Sequence, residues 1–470
     1  MRRLSPASRG FAETCRWAGF AGSVLLAVAA YRGGASSPFH PPMTPTTIFA
    51  GQSGVLAPLC WLAGTALLIA AWVAGLRAIP SARWAFLTAA LWVVPLLPML
   101  PLGSYDVYSY ACQGWQQAAG LDPYSAGVDA LGCPWRAAVS PTWLDSPAPY
   151  GPLFVVIAAA AARIGGSLTG TVAVLRAVSV LGVLLIAVCL PVLARRCGVP
   201  LARAVWLALA CPLVAVHLVS GAHNDAVMVG LLVAAFAVIL SPRRDSLPLV
   251  VAGVLFGLAV AVKATAVVAL PFGVLATVAP GSTLRALLRP GTAIAGAAAV
   301  TIAVVSDASG LGFGWIVNLA GSGASVQWTS PPTAVGMTVD LIGSWFGADL
   351  NAVPVTRVLG IGALAVVLAV LWWRTRTKNA LPGAGLALAA TVVLAPVFHP
   401  WYATWPLVVL AATLDRAMWW LVVPCAAAAA LCLPDGYNLA LSVKSQGALA
   451  MTALLIYLLA RRLRPARQVA

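Results

Sequence analysis

Apolar runs of bilayer-spanning length recur from one end of this chain to the other, and that repetition constrains the fold more than any motif does. Residues 17–31, 54–76, 84–101, 171–194, 201–218, 224–240, 291–306, 354–373, 381–398, 417–433 and 446–460 are each near the length a helix needs to cross ~30 Å of hydrocarbon. Two tight pairs, 247–262 with 264–280 and 381–398 with 402–414, include shorter members. The pattern predicts an all-α integral membrane protein, a helix bundle of about fourteen crossings forming one polytopic domain over 1–470. With 61% hydrophobic and 9% charged residues, a water-soluble domain is excluded.

The net charge of +16 would suggest nucleic acid in a soluble protein. Here the cations sit in short clusters between apolar runs, with no basic stripe, so no nucleic-acid partner is expected and the charge reports topology. With the N-terminus in the cytoplasm, a consistent set falls inside: Arg2, Arg3, Arg9 and Arg16; Arg77 and Arg83; Arg195, Arg196 and Arg203; Arg243 and Arg244. Arg285 and Arg289, then Arg374, Arg376 and Lys378, then Arg416, and the tail Arg461, Arg462, Arg464 and Arg467 complete it, placing both termini inside. The fit requires 150–165 to dip into the outer surface without crossing. Ala27, Ala29 and Ala30 could end a signal peptide, but the later segments need the first one to set their orientation, so it is read as retained.

This topology puts two long loops outside. Residues 102–150, continued by an interfacial helix to about 170, hold Asp106, Asp122, Asp129 and Asp145; residues 307–353 form the second, with Trp315, Asn318, Gln327, Trp328 and a Ser-Pro-Pro turn at 330–332. Long structured loops are where sites are usually built. Cys112 and Cys133 share the first loop, where a bridge and two free thiols both remain open.

Four clusters carry potential chemistry. Asp106, in Gly-Ser-Tyr-Asp-Val-Tyr-Ser-Tyr, stands at a membrane boundary where a general base could meet a lipid-borne substrate; alternatively it caps a helix starting at Val107. His223, Asn224 and Asp225 lie together between two apolar segments, as substrate contacts or as caps, with a metal site the weaker reading. Outer cations Arg163, Arg176, Lys263, Arg357 and Lys444 either snorkel to head groups or pair with a lipid phosphate, Lys263 being the sharpest. Phe398-His399-Pro400-Trp401-Tyr402 is an interfacial anchor or a sugar-stacking platform. All four fall on one face under a topology fixed only by the internal arginines.

Asp-Val-Tyr-Ser-Tyr at 106–110 with Gln113-Gly114-Trp115, Asp122-Pro123-Tyr124, Ala148-Pro149-Tyr150-Gly151-Pro152, His223-Asn224-Asp225, Lys263 and Pro400-Trp401-Tyr402 together resemble the actinobacterial polyprenol-phosphomannose-dependent α-1,6-mannosyltransferases. The resemblance runs from about 100 to 410 and is most specific at Asp-Val-Tyr-Ser-Tyr and Pro-Tyr-Gly-Pro. It implies a GT-C-like multi-spanning glycosyltransferase of the plasma membrane, with its site on the external face. Mannose would pass with inversion from polyprenyl-phosphate-mannose to a growing lipomannan-type α-1,6-mannan. Asp106 matches the acidic position of the first large external loop and would be the base. Tyr105, Tyr108, Tyr110, Gln113 and Tyr150 in the shared motifs, with His223, Asn224, Asp225, Lys263, Arg357, His399, Trp401 and Tyr402, would bind substrate. No cofactor is fixed, and a divalent metal on the external carboxylates remains open. Another polyprenyl-phosphate sugar, or a transporter or flippase for lipid-linked sugars, is the alternative; transporters spread polar residues through the midplane and show repeats, whereas these clusters share one surface.

Overall fold

The computed structural model describes residues 6–39, 47, 54–241, 246–323, 325–414 and 419–463. Arg2, Arg3, Arg243, Arg244, Arg416, Arg464 and Arg467, used above for topology, lie outside the described residues. Apart from one isolated bridge between Cys432 and Asn438, the described secondary structure is helical.

In chain order the helices are α1 (Pro6–Gly33), α2 (Leu56–Gly75), α3 (Ala82–Val93), α4 (Asp106–Ala118), the single turns α5 (Val128–Leu131) and α6 (Pro141–Leu144), and α7 (Pro152–Gly165). Then come α8 (Leu168–Arg196), α9 (Leu201–Leu209), α10 (Asp225–Ile239), α11 (Leu247–Val262), α12 (Leu270–Leu275), α13 (Leu288–Ala308) and α14 (Gly314–Asn318). The chain closes with α15 (Pro331–Trp345), α16 (Ala352–Thr375), α17 (Ala380–Leu394), α18 (Thr404–Thr413), α19 (Trp419–Ala429) and α20 (Lys444–Leu463).

Every apolar run read from the sequence contains a helix. Among the described residues, five helices are long and apolar enough to cross a membrane: Leu56–Gly75, Leu168–Arg196, Leu284–Ala308, Ala352–Thr375 and Leu439–Arg461. A sixth results if Leu201–Leu209 and Val214–Ser220, bent by 60°, form one span. Seven further apolar helices among the described residues, α7, α10, α11 and α17 among them, are only 10–17 residues long. Leu181, Val188, Val300, Val358, Val366 and Ile456 point outward from α8, α13, α16 and α20, an apolar exterior that water would not tolerate at this extent. The chain is an all-helical membrane protein.

One expectation changes and one open alternative is decided. The Ser-Pro-Pro sequence at 330–332 does not turn inside a loop; it starts α15, with Pro331 at the first helical position where a missing N–H costs nothing. The segment 307–353 is therefore largely helical. Cys112 and Cys133 form a disulfide, tying α4 to the turn after α5.

The helices that bear the candidate site residues pack through small residues. Gly253 and Gly257 on α11 face α13, where an added Cβ would lie 2.5 Å from Ile294 O and 2.7 Å from Ala298 O. A Cβ on Gly230 of α10 would lie 2.7 Å from Gly182 O of α8. Such close backbone approach gives apolar helices the van der Waals contact that a hydrophobic effect cannot supply in lipid. The start of α10 and the end of α11 both carry candidate site residues, Asp225 and Lys263.

Candidate functional site

The helical breaks come first, because they set the side chains. α11 stops at Val262; Lys263 is extended, with φ −152° and ψ 120°, before a 3-10 turn over Ala264–Ala269. Ala222 takes a positive φ of 52° just ahead of α10, which turns His223 and Asp225 toward that break. The two meet. Lys263 Nζ donates to both carboxylate oxygens of the fully buried Asp225, at 2.8 and 2.9 Å, and Trp405 Nε1 donates to Asp225 Oδ1 at 2.6 Å. The ammonium also lies 4.7 Å from the Tyr402 ring centroid and 5.3 Å from that of Trp405. A buried charge pair of this kind persists only with such complete hydrogen bonding.

Asp106 opens α4 on the other side of the site. Tyr105, not Asp106, is the cap residue, and no side-chain cap bond forms there; the capping reading of Asp106 is set aside. Its backbone N–H donates to Ser104 Oγ at 3.0 Å, and Oδ1 accepts from Trp143 Nε1 at 3.3 Å. Asn224 is the cap residue of α10 without a side-chain cap bond, so capping does not explain that triplet either. His223 Nδ1 sits 3.8 Å from Asp106 Oδ2 and 3.4 Å from Tyr110 Oη. Burial raises the Asp106 carboxyl from its ordinary 3.8 to about 6, opposed by the charge of Lys263 and the bonds from Ser104 and Trp143. Burial, aided by Lys263, lowers His399 to about 3, so that imidazole is neutral at physiological pH.

Two cavities share a wall made by Asp106, Trp143, His399 and Trp401. Trp401 is clamped between imidazoles, with centroids 3.8 Å from His223 and 4.7 Å from His399. One cavity, of about 170 Å³, is lined by Lys263, Thr265, Tyr150, Tyr402, Trp405 and apolar groups including Leu319 and Val397. Thr265 Oγ1 is buried there with no hydrogen-bond partner among the described residues. The other, of about 250 Å³, is lined by Ser104, Tyr105, Gln327, Asp435, Tyr437 and Asn438 among others; no Lys or Arg among the described residues borders it. A carboxylate in the wall between a chamber bordered by an ammonium and one bordered by amides and a second carboxylate can take a proton from a group arriving beside it.

The sequence-derived candidates divide accordingly. Asp106, Tyr105, Tyr150, Lys263, His399, Trp401 and Tyr402 line one or both cavities. His223, Asn224, Asp225 and Tyr110 form the layer behind them and border neither. Tyr108 donates to Ala35 O at 2.6 Å and Gln113 is buried on α4; neither reaches a cavity. Arg357 also stays out: its guanidinium donates to Thr333 Oγ1 at 3.0 Å and Ser325 O at 2.7 Å, bracing the segment before α15. Arg176 is likewise structural, holding Leu97 O and Ser220 O at 2.7 and 2.9 Å. Sequence reasoning missed Trp143, Thr265 and the turn 432–439. The Asp435-Gly436 pair between apolar runs was the available signal for the turn. No group of three metal-ligating side chains comes together among the described residues, so the donor set offers no built metal site.

Residues 16–279 match the family described as alpha-(1->6)-mannopyranosyltransferase, N-terminal domain, and residues 332–462 match the MptB C-terminal domain. Alpha-(1->6)-mannopyranosyltransferase A of Mycobacterium tuberculosis is 34% identical over 84% of this chain and 79% of its own length. Alpha-(1->6)-mannopyranosyltransferase B of Corynebacterium glutamicum is 31% identical over 85% of this chain and 73% of its own. Alpha-(1->6)-mannopyranosyltransferase A of the same organism is 30% identical over 79% and 81% respectively. No solved structure matches. On these matches the chain belongs to the alpha-(1->6)-mannopyranosyltransferase family of membrane mannosyltransferases.

Proposed function

We propose that the protein transfers mannose, with inversion, from a polyprenyl-phosphate donor to an α-1,6-mannan acceptor of lipomannan type at the external face of the plasma membrane. The bundle then crosses the membrane about fourteen times, with its termini cytoplasmic. The observation that carries the reading is the position of Asp106 in the wall between two chambers, one bordered by the Lys263 ammonium and the other by the amides of Gln327 and Asn438. The lipid phosphate takes the chamber of Lys263, whose third N–H is not used by Asp225, beside the Thr265 hydroxyl. An acceptor hydroxyl comes to Asp106 from the other chamber.

In the step itself the acceptor oxygen attacks the anomeric carbon, the bond from that carbon to the phosphate oxygen breaks, and the hydroxyl proton passes to the Asp106 carboxylate. The bond electrons leave on the lipid phosphate. A value near 6 keeps Asp106 ionised at neutral pH yet more basic than an ordinary carboxylate, as suits a general base. Because Asp225 already balances Lys263, the pair contributes directed hydrogen bonding more than net positive charge.

Purified protein with radiolabelled polyprenyl-phosphomannose and a short α-1,6-mannoside tests this, with Asp106→Asn as comparison. Transfer by the parent and its loss in the variant are expected. No transfer from this donor by the parent rejects mannose-lipid use in favour of another lipid-linked sugar or transport; full activity in the variant removes Asp106 from the base role.

A further inference from the structure

The larger cavity has a wall that none of the site motifs predicted. Between α19 and α20 the chain folds into a tight turn: Leu433 N–H donates to Tyr437 O and Leu439 N–H to Leu431 O, both at 2.9 Å. Gly436 makes the reversal at φ +87°, where a Cβ would lie 3.2 Å from Ser104 Cα. Gly103 N–H donates to Pro434 O at 3.1 Å, which locks the turn against the residues just ahead of Asp106. On the opposite flank Trp328 Nε1 donates to Ala440 O at 2.8 Å, bringing the segment before α15 to the same place.

The result is a pair of amides facing the base's chamber. Asn438 Nδ2 donates to Gln327 Oε1 at 3.2 Å, Asn438 Oδ1 accepts from Ala440 N at 2.9 Å, and Gln327 Nε2 donates to Ser325 Oγ at 2.9 Å. Each amide nitrogen keeps a second N–H that no described residue takes. The buried Asp435 carboxylate accepts from Tyr437 N–H at 3.1 Å and shapes the turn, while Tyr105, Trp143 and Trp401 offer ring faces to the chamber. Among the described residues no Lys or Arg borders this chamber to hold a phosphate, whereas paired amides and ring faces suit the hydroxyls and C–H faces of a neutral sugar.

We infer that the turn 432–441 with Gln327 is the acceptor-sugar subsite, which selects a neutral glycan end and presents its hydroxyl to Asp106. This rests on the function proposed above. It divides the labour along the chain: the base and Lys263 lie within residues 16–279, and the turn that chooses the acceptor lies within 332–462.

The test is steady-state kinetics of Gln327→Ala and Asn438→Ala with both substrates varied. The acceptor KM is expected to rise about tenfold, the value of one lost hydrogen bond to a sugar hydroxyl, while the donor KM moves less than about twofold. A rise in donor KM instead, or an unmoved acceptor KM, overturns the assignment. Should either variant fail to fold, Leu441→Cys at the cavity edge serves: α-1,6-mannobiose should slow its alkylation and a polyprenyl phosphate should not, and the reverse order refutes the subsite. If the parent transfers no mannose at all, the proposed function fails rather than this inference.

Discussion

Asp106→Asn should do two opposite things, and both follow from one number. In the unfolded chain the carboxyl has its ordinary value of 3.8; in the folded protein burial raises it to about 6. Below pH 4 both states are protonated and the residue favours neither. Between 4 and 6 the folded state alone keeps its proton, and above 6 it must hold a carboxylate that it solvates less well than water does. Folded stability is therefore lower at neutral pH than it would be with a neutral group, by about 3 kcal/mol for a rise of this size. Asparagine removes that liability and its amide oxygen can still accept from Trp143. The variant should be more stable than the parent by up to about 3 kcal/mol at pH 7.5, with the gap closing as the pH falls toward 4. Over the same range the parent's kcat/KM should drop about tenfold per pH unit below 6, and the variant should lose about 10²- to 10⁴-fold in transfer at neutral pH. Denaturant titration in bicelles at several pH values, beside the transfer assay, measures all three. A parent as stable as the variant at pH 7.5, a gap that does not vary with pH, or a pH–rate profile flat through 6 would refute the reasoning.

Lys263→Met should destabilise strongly, by about 3–5 kcal/mol, since it strands the buried Asp225 charge; adding Asp225→Asn should restore the fold without restoring transfer, readable by monodispersity and melting. Thr265→Val should raise the donor KM with little change in the acceptor KM, and Thr265→Ser should recover it. Replacing Cys112 and Cys133 by serine should lower stability by about 3 kcal/mol, from the loop of 21 residues the bridge closes, and dithiothreitol should act likewise on the parent.

The sequence made the helices legible because apolar run length and charge placement act locally, and each run became a helix. The break at Lys263 was legible, since the runs 247–262 and 264–280 meet there, but the crossing count was not, because several apolar helices are only 10–17 residues long. Asp106, Lys263, His399 and Trp401 were readable as polar or aromatic residues costly to place at a membrane boundary. Their ranking was not: Asp225 and His223 look equivalent to Lys263 in sequence, and only the fold shows that they stand behind it. Arg357 carried the right charge at a plausible depth, yet the neighbouring Thr333 and Ser325 claim it. Asn438 and Gln327 are separated by over a hundred residues, and nothing local announces that pairing.

The glycines of α11 have a consequence for catalysis. About 9 Å of helix separates Gly257 from Lys263, so the ammonium is aimed by backbone pressed on backbone a turn and a half below the reacting atoms. A methyl group added at Gly253 or Gly257 would lever α11 away from α13 and swing its far end, moving Lys263 without touching any residue that lines the two chambers. If Lys263 holds the donor as proposed, register between donor and base is kept by positions that have no side chain, and inactivating substitutions should surface deep in the bundle as readily as around the two chambers.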